Sequence, residues 1–124
     1  MIAISVVVPL FNEEDNITVL YNRLVASLSE VAENFEVVFV NDGSTDTTAQ
    51  LITALAGRDR RVKYLHLSRN FGHQIALSAG LDYCRGAAVV IMDGDLQDPP
   101  EVIPLLYRKY REGFDVVYAR RIRR

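Results

Sequence analysis

The 124-residue chain has a single cysteine, Cys84, no tryptophan, and no apolar run near the ~20 residues that span a bilayer. A lone cysteine excludes a disulfide framework and a multi-cysteine zinc site. Cys84 falls in an apolar, helix-type stretch, where it reads as a small buried hydrophobe rather than a nucleophile. The net charge is only −2, so nothing points to nucleic acid as a partner. Met1-Ile2-Ala3-Ile4 lacks the basic and apolar segments of a signal peptide, and a cytoplasmic location is expected. Repeats and low-complexity linkers are missing too. Two familiar phosphate-binding signatures, G-x-G-x-x-G and G-x-x-x-x-G-K-[ST], do not occur, which argues against a dinucleotide fold and a P-loop.

What is present is a 49% hydrophobic composition, enough to bury the core of one domain. Strand-type and helix-type patterns alternate along it. Strands are expected at Ile2 to Val8 (ended by Pro9), Phe35 to Val40, Val62 to Leu67, Ala87 to Met92 and Asp115 to Ala119. Helices are expected from about Asn16 to Ala32, Thr47 to Ala56 (stopped by Gly57), Gly72 to Cys84, and Pro99 to Arg111 (ended by Gly113). This alternation predicts an α/β fold, a Rossmann-like, mostly parallel sheet with helices on both faces. In such sheets ligands bind outside the carboxyl ends of the strands.

Polar residues collect on that edge. The apolar run Val89 to Met92 ends at Asp93-Gly94-Asp95-Leu96-Gln97-Asp98, followed by Pro99-Pro100-Glu101. Two carboxylates at i and i+2, beside a glycine without a Cβ, suit one magnesium or manganese ion with positions left for phosphate oxygens. The plain alternative is a polar turn, with Asp98 as N-cap and Pro99 at the first helical position. Behind the first strand stand Pro9, Phe11, Asn12, Glu13 and Glu14, behind the second Asn41, Asp42 and Gly43, behind the third Arg69, Asn70, Gly72 and His73, and behind the fifth Arg120. An aromatic ring, carboxylates and guanidinium groups on one rim are what a nucleoside diphosphate requires. Phe11 and the backbone near Val40 would flank a base, Asp42 would accept from base N–H groups, and Arg120 would face the phosphates. Each has a structural alternative: Glu13 can favour a helix start, Asp42 can cap a turn, Arg120 can be solvated, and His73 and Gln74 can cap a helix. His66 is given no role. A haloacid-type phosphatase would carry its acidic pair where this chain has Pro9-Leu10-Phe11-Asn12, and a signalling receiver would carry a lysine where Arg120 and Arg121 stand.

The stretches Val7-Val8-Pro9-Leu10-Phe11-Asn12-Glu13-Glu14, Val40-Asn41-Asp42-Gly43-Ser44-Thr45-Asp46, Arg69-Asn70-Phe71-Gly72-His73-Gln74 and Met92-Asp93-Gly94-Asp95-Leu96-Gln97-Asp98-Pro99-Pro100-Glu101 together resemble family 2 glycosyltransferases. The likeness is to the polyprenyl-phosphate branch, which includes dolichyl-phosphate mannose synthases and undecaprenyl-phosphate glycosyltransferases. The resemblance implies a glycosyltransferase A-type fold. It makes Asp93 and Asp95 the DxD pair that is catalytic through a bound Mg2+ or Mn2+, with Gln97 as a further metal ligand. It assigns Pro9, Phe11, Glu13, Val40, Asp42, Gly72, Gly94 and Arg120, with the DxD pair, to nucleotide binding. Phe11 stands where a tyrosine is more usual, which keeps stacking and drops a phenolic hydrogen bond.

The implied reaction is inverting transfer of a sugar from a UDP- or GDP-linked donor to a lipid phosphate. That acceptor is already anionic and needs no general base, whereas a hydroxyl acceptor would. The family continues past the fifth strand into acceptor-side elements and, in this branch, membrane segments. Residues 1–124 are therefore expected to be the donor part, with the acceptor half missing, weak or no turnover alone, and a place at the cytoplasmic face of the membrane in the full-length protein. A homo-oligomer is compatible with this. The alternatives are a non-catalytic nucleotide-binding domain of the same fold and, less favoured, a nucleotidyltransferase, which would show a lysine-containing Gly-rich loop behind the first strand.

Overall fold

A computed structural model describes residues 1–113. Four strands, β1 (Ile4–Leu10), β2 (Phe35–Asn41), β3 (Val62–His66) and β4 (Ala88–Ile91), form one parallel sheet in the order β3-β2-β1-β4. Between them run α1 (Ile17–Ser29), α2 (Thr48–Arg58) and α3 (His73–Tyr83). After β4 come a 3-10 turn (Pro100–Val102) and α4 (Ile103–Arg111). The fifth strand expected at Asp115 to Ala119, and Arg120 with it, lie outside the described residues.

The apolar run of β1 serves both faces because successive side chains alternate. Ile4, Val6, Val8 and Leu10 join Val37 and Phe39 under Leu20, Leu24 and Leu28 of α1, Ile52 of α2 and Ile103 of α4. Val7, Val38 and Val40 face Ala76 of α3 on the other side. A right-handed crossover explains the split: the chain steps from β1 to β2 to β3 in one direction, then jumps back past β1 to β4, so α3 lies on the opposite face. The order therefore reverses between β1 and β4, the position where open α/β sheets bind ligands.

Four expected boundaries shift. β1 does not stop at Pro9 but pairs with β2 through Leu10, register Pro9 to Val40 and Leu10 to Asn41. Backbone direction alternates along it: the Leu10 carbonyl accepts from the Asp42 N–H on the β2 side, and the Val7 carbonyl from Met92 N–H on the β4 side. The absent Pro9 donor thus faces β4, where pairing ends at Ile91, and costs nothing toward β2. Second, α2 continues through Gly57 to Arg58, since a glycine weakens a helix without ending it. α1, conversely, stops at Ser29, short of Ala32.

The fourth shift is at the acidic loop's far end. Pro99 holds an extended conformation (φ −71°, ψ 127°), as a residue before proline prefers, so a 3-10 turn begins at Pro100 and the α-helix only at Ile103. Asp98 therefore does not cap a helix starting at Pro99. Arg23 of α1 grips Glu101 of that turn through a two-pronged contact, with Nε to Oε2 at 2.8 Å.

At the amino ends of the strands, away from the switch point, a buried polar knot closes the sheet. The Glu36 carboxylate, 2% exposed, accepts from Ser5 Oγ (2.6 Å) and the Arg85 N–H (2.6 Å), with Lys63 Nζ at 3.4 Å. Cys84 lies beside it at the end of α3, half-buried, and burial raises its thiol pKa.

Candidate functional site

The loops behind β1 and β2 are stitched into one rigid rim. Asn12, at φ 53°, accepts the Thr45 N–H on Oδ1 (2.8 Å) while its own N–H donates to Ser44 Oγ (3.0 Å). Glu13 N–H donates to Thr48 Oγ1 (3.0 Å), and Glu14 accepts from Thr47 N–H (3.0 Å). Phe11 projects from this rim with 45% of its surface exposed, too much for a core residue and suited to stacking on a planar ligand.

The loop behind β3 is fixed to that behind β2 by backbone contact. Gly43, at φ +69°, lies so close to Arg69 and Asn70 that a Cβ there would sit 2.3 Å from their backbone atoms. Asp42, 4% exposed, then accepts the Phe71 N–H on Oδ1 (2.8 Å) and the Gly72 N–H on Oδ2 (3.1 Å). Asp42 was expected to read base N–H groups; in this structure each of its oxygens is first committed to holding the β3–α3 loop. Arg69 in turn stacks its guanidinium over the Phe71 ring at 4.1 Å.

Pro9, Leu10, Phe11, Asp42, Asn70, Gly72 and His73 line an open recess at the carboxyl ends of β1 and β2, beside the switch point. Of the nucleotide-binding set expected from the sequence, Pro9, Phe11, Asp42 and Gly72 meet there. Val40 does not line it: its side chain is fully buried against α3. Glu13 sits behind it, accepting from Asn16 Nδ2 (2.9 Å) and lying near Gly94. Gly94 rests on Leu10, where a Cβ would come within 2.2 Å of Leu10 Cδ2, so the acidic loop is seated on the end of β1. Arg120 lies outside the described residues.

Beyond the recess, Asp93 and Asp95 stand on the loop that leaves β4. Asp93 Oδ1 meets His73 Nε2 at 3.0 Å, and Asp95 Oδ1 accepts the Gln97 N–H at 3.1 Å, a turn that leaves Leu96 at φ 65° with its side chain packed on the core. Among the described residues no three His, Cys, Asp or Glu side chains converge on one point. The donor set fits a hard divalent cation that completes its shell with diphosphate oxygens and water, and does not fit an all-protein metal cage. His73 was placed on this rim by its position after β3, but its approach to Asp93 had no sequence signal, since twenty residues and a whole helix separate them.

Comparison with known proteins follows this geometry. A family model described as "Glycosyl transferase family 2" matches residues 5–124. The bactoprenol glucosyl transferase of Shigella phage SfV is 50% identical over 119 residues, which is 95% of this chain and 38% of that protein. The chain thus spans less than two-fifths of the length of this relative. Among solved structures, Staphylococcus aureus TarS in complex with UDP matches with a TM-score of 0.62 and 32% identity, over 76% of this chain and 28% of that one. Glucosyl-3-phosphoglycerate synthase from Mycobacterium tuberculosis, in complex with Mn2+, UDP and phosphoglyceric acid, matches with a TM-score of 0.62 and 27% identity, over 87% of this chain and 38% of that one. The fold is that of glycosyltransferase A-type enzymes.

Proposed function

The chain belongs to glycosyl transferase family 2, and from that footing we propose that residues 1–124 are the donor-binding part of an enzyme that transfers a sugar from a UDP-sugar to a polyprenyl phosphate, with inversion and with a divalent metal. The observation that carries this reading is the juxtaposition, at the β1/β4 reversal, of an aromatic-edged recess with two carboxylates on the adjoining loop. UDP is favoured over GDP by the structural neighbours solved with UDP, and the lipid acceptor by the phage relative's name.

In this reading the Phe11 ring stacks on the base while Asp42 keeps the opposite wall in place through the Phe71 and Gly72 amides. Asp93 and Asp95 would hold a divalent cation. A bound Mg2+ or Mn2+ would offset the charge that develops on the leaving diphosphate. The acceptor phosphate is anionic at neutral pH, so direct displacement at the anomeric carbon asks no proton transfer of this chain's carboxylates. Gln97 and Arg120 are assigned to the metal and the phosphates by the family pattern alone. In this reading the acceptor side belongs to the part of the relatives' length that this chain does not span, and a lipid acceptor brings the enzyme to a membrane surface, taken to be the cytoplasmic one. No helix among the described residues is long and apolar enough to cross it.

The test is calorimetric titration with UDP and GDP, each with and without Mn2+, on the chain and on Asp95→Ala. UDP binding strengthened by Mn2+, with that strengthening abolished in Asp95→Ala, is expected. UDP binding that ignores both the metal and the substitution would reduce the acidic loop to a polar turn.

A further inference from the structure

We infer that His73 is a positioning residue that aligns the metal-binding carboxylate of Asp93 with the nucleotide recess; this rests on the donor-site reading above. A carboxylate oxygen accepts, so in their 3.0 Å contact His73 Nε2 is the donor. That bond occupies Oδ1 and fixes the carboxylate, so that Oδ2, which makes no hydrogen bond with the described residues, is the oxygen left to a cation. A carboxylate on an exposed loop, with 46% of its side chain accessible, is otherwise free to change rotamer.

The backbone supplies the reason that His73 can do this. Residue 72 is clamped by Asp42 from the end of β2, and residue 73 reaches Asp93 at the end of β4, with β1 between them. The first turn of α3 therefore bridges the reversal point, and among the described residues His73 is the side chain that both lines the recess and hydrogen-bonds to the acidic pair. The recess and the metal loop are held in one geometry through this ring. An outer partner of a metal ligand of this kind changes metal affinity by about tenfold or more when removed.

The experiment compares the parent chain, His73→Ala and His73→Gln by calorimetric UDP titration in EDTA and in Mn2+, with Mn2+ binding read independently by electron paramagnetic resonance. In His73→Ala, whatever change the altered recess lining makes to UDP affinity in EDTA, the Mn2+-dependent gain over that value should fall about tenfold and the Mn2+ signal should show weaker binding. His73→Gln, which offers an N–H donor at similar reach, should recover most of that gain. An unchanged Mn2+-dependent gain in His73→Ala overturns the inference, whatever the change in EDTA. A parent chain that binds UDP with no response to Mn2+ overturns the donor-site reading itself.

Discussion

Replacing Gly43 by alanine tests how tightly the rim of the site is built. At φ +69° a Cβ costs about 1–2 kcal/mol from the left-handed conformation alone. The same Cβ would stand 2.3 Å from Arg69 C and Asn70 N, which are backbone atoms and cannot swing aside. Overpacking of that kind adds about 1–3 kcal/mol, so Gly43→Ala should lose about 2–5 kcal/mol in all. For a chain of this size about 4 °C of Tm follows each kcal/mol, which gives a fall of roughly 8–20 °C. Gly43→Asn separates the two causes, because asparagine tolerates the left-handed region yet still brings a Cβ. If contact dominates, asparagine should rescue little. Gly57→Ala supplies the baseline: it lies inside α2 with open space around it and should gain about 0.5–1 kcal/mol. Urea denaturation of the three variants, followed by far-UV circular dichroism, measures all of this. A Gly43→Ala protein within 1 kcal/mol of the parent (about 4 °C), or full recovery in Gly43→Asn, would refute backbone contact between the loops.

Further outcomes follow from other contacts. Asp42→Asn keeps one carbonyl oxygen where two backbone N–H groups need acceptors; it should cost about 1–3 kcal/mol in urea titrations and weaken UDP binding equally with and without Mn2+. Asp59 accepts from the Arg61 guanidinium and N–H and from the Tyr21 hydroxyl (2.6 Å), and these contacts, Arg61 foremost, hold its carboxyl well below the usual range. Because the folded value lies below the unfolded one near 3.9, its contribution is complete above pH ~4 and fades as pH falls further toward the folded value. Asp59→Asn should therefore be less stable than the parent at pH 7 and approach it below pH ~3, as read by urea midpoints across pH. Ser5→Ala removes a donor to buried Glu36 and the acceptor of the Gly86 N–H (2.7 Å); about 1–3 kcal/mol should be lost, with UDP titrations unchanged, since this knot is at the opposite end of the sheet.

The alternation of β-branched runs with helical periodicity revealed the architecture, because a parallel strand buried on both faces leaves a nearly continuous apolar signature such as Ile4 to Leu10. Asp93, Asp95, Phe11 and Asp42 were legible as a group because strand ends share one edge. Pairwise geometry was not legible. Asp42 was readable as an acceptor, but which N–H groups it serves depends on the Gly43 contact across two loops. Gly57 and Pro9 misled in the same way: each carries a local preference for ending an element, and packing of α2 and pairing with Val40 outweighed it. The 3-10 turn at Pro100 reflects successive prolines, whose combined restriction exceeds what a single N1 proline suggests.

Pro9 has a wider consequence. The regular parallel pattern would send the residue 9 N–H to the Met92 carbonyl, making one more rung between β1 and β4 and drawing the acidic loop flat against the sheet. A ring carbon stands where that proton would be, so the ladder halts at Ile91 and the acidic loop meets the end of β1 through Gly94 packed on Leu10. The end of the pairing is thus set by a covalent feature of the backbone, indifferent to pH and salt. Pro9→Ala would restore the missing proton and allow one more rung to form.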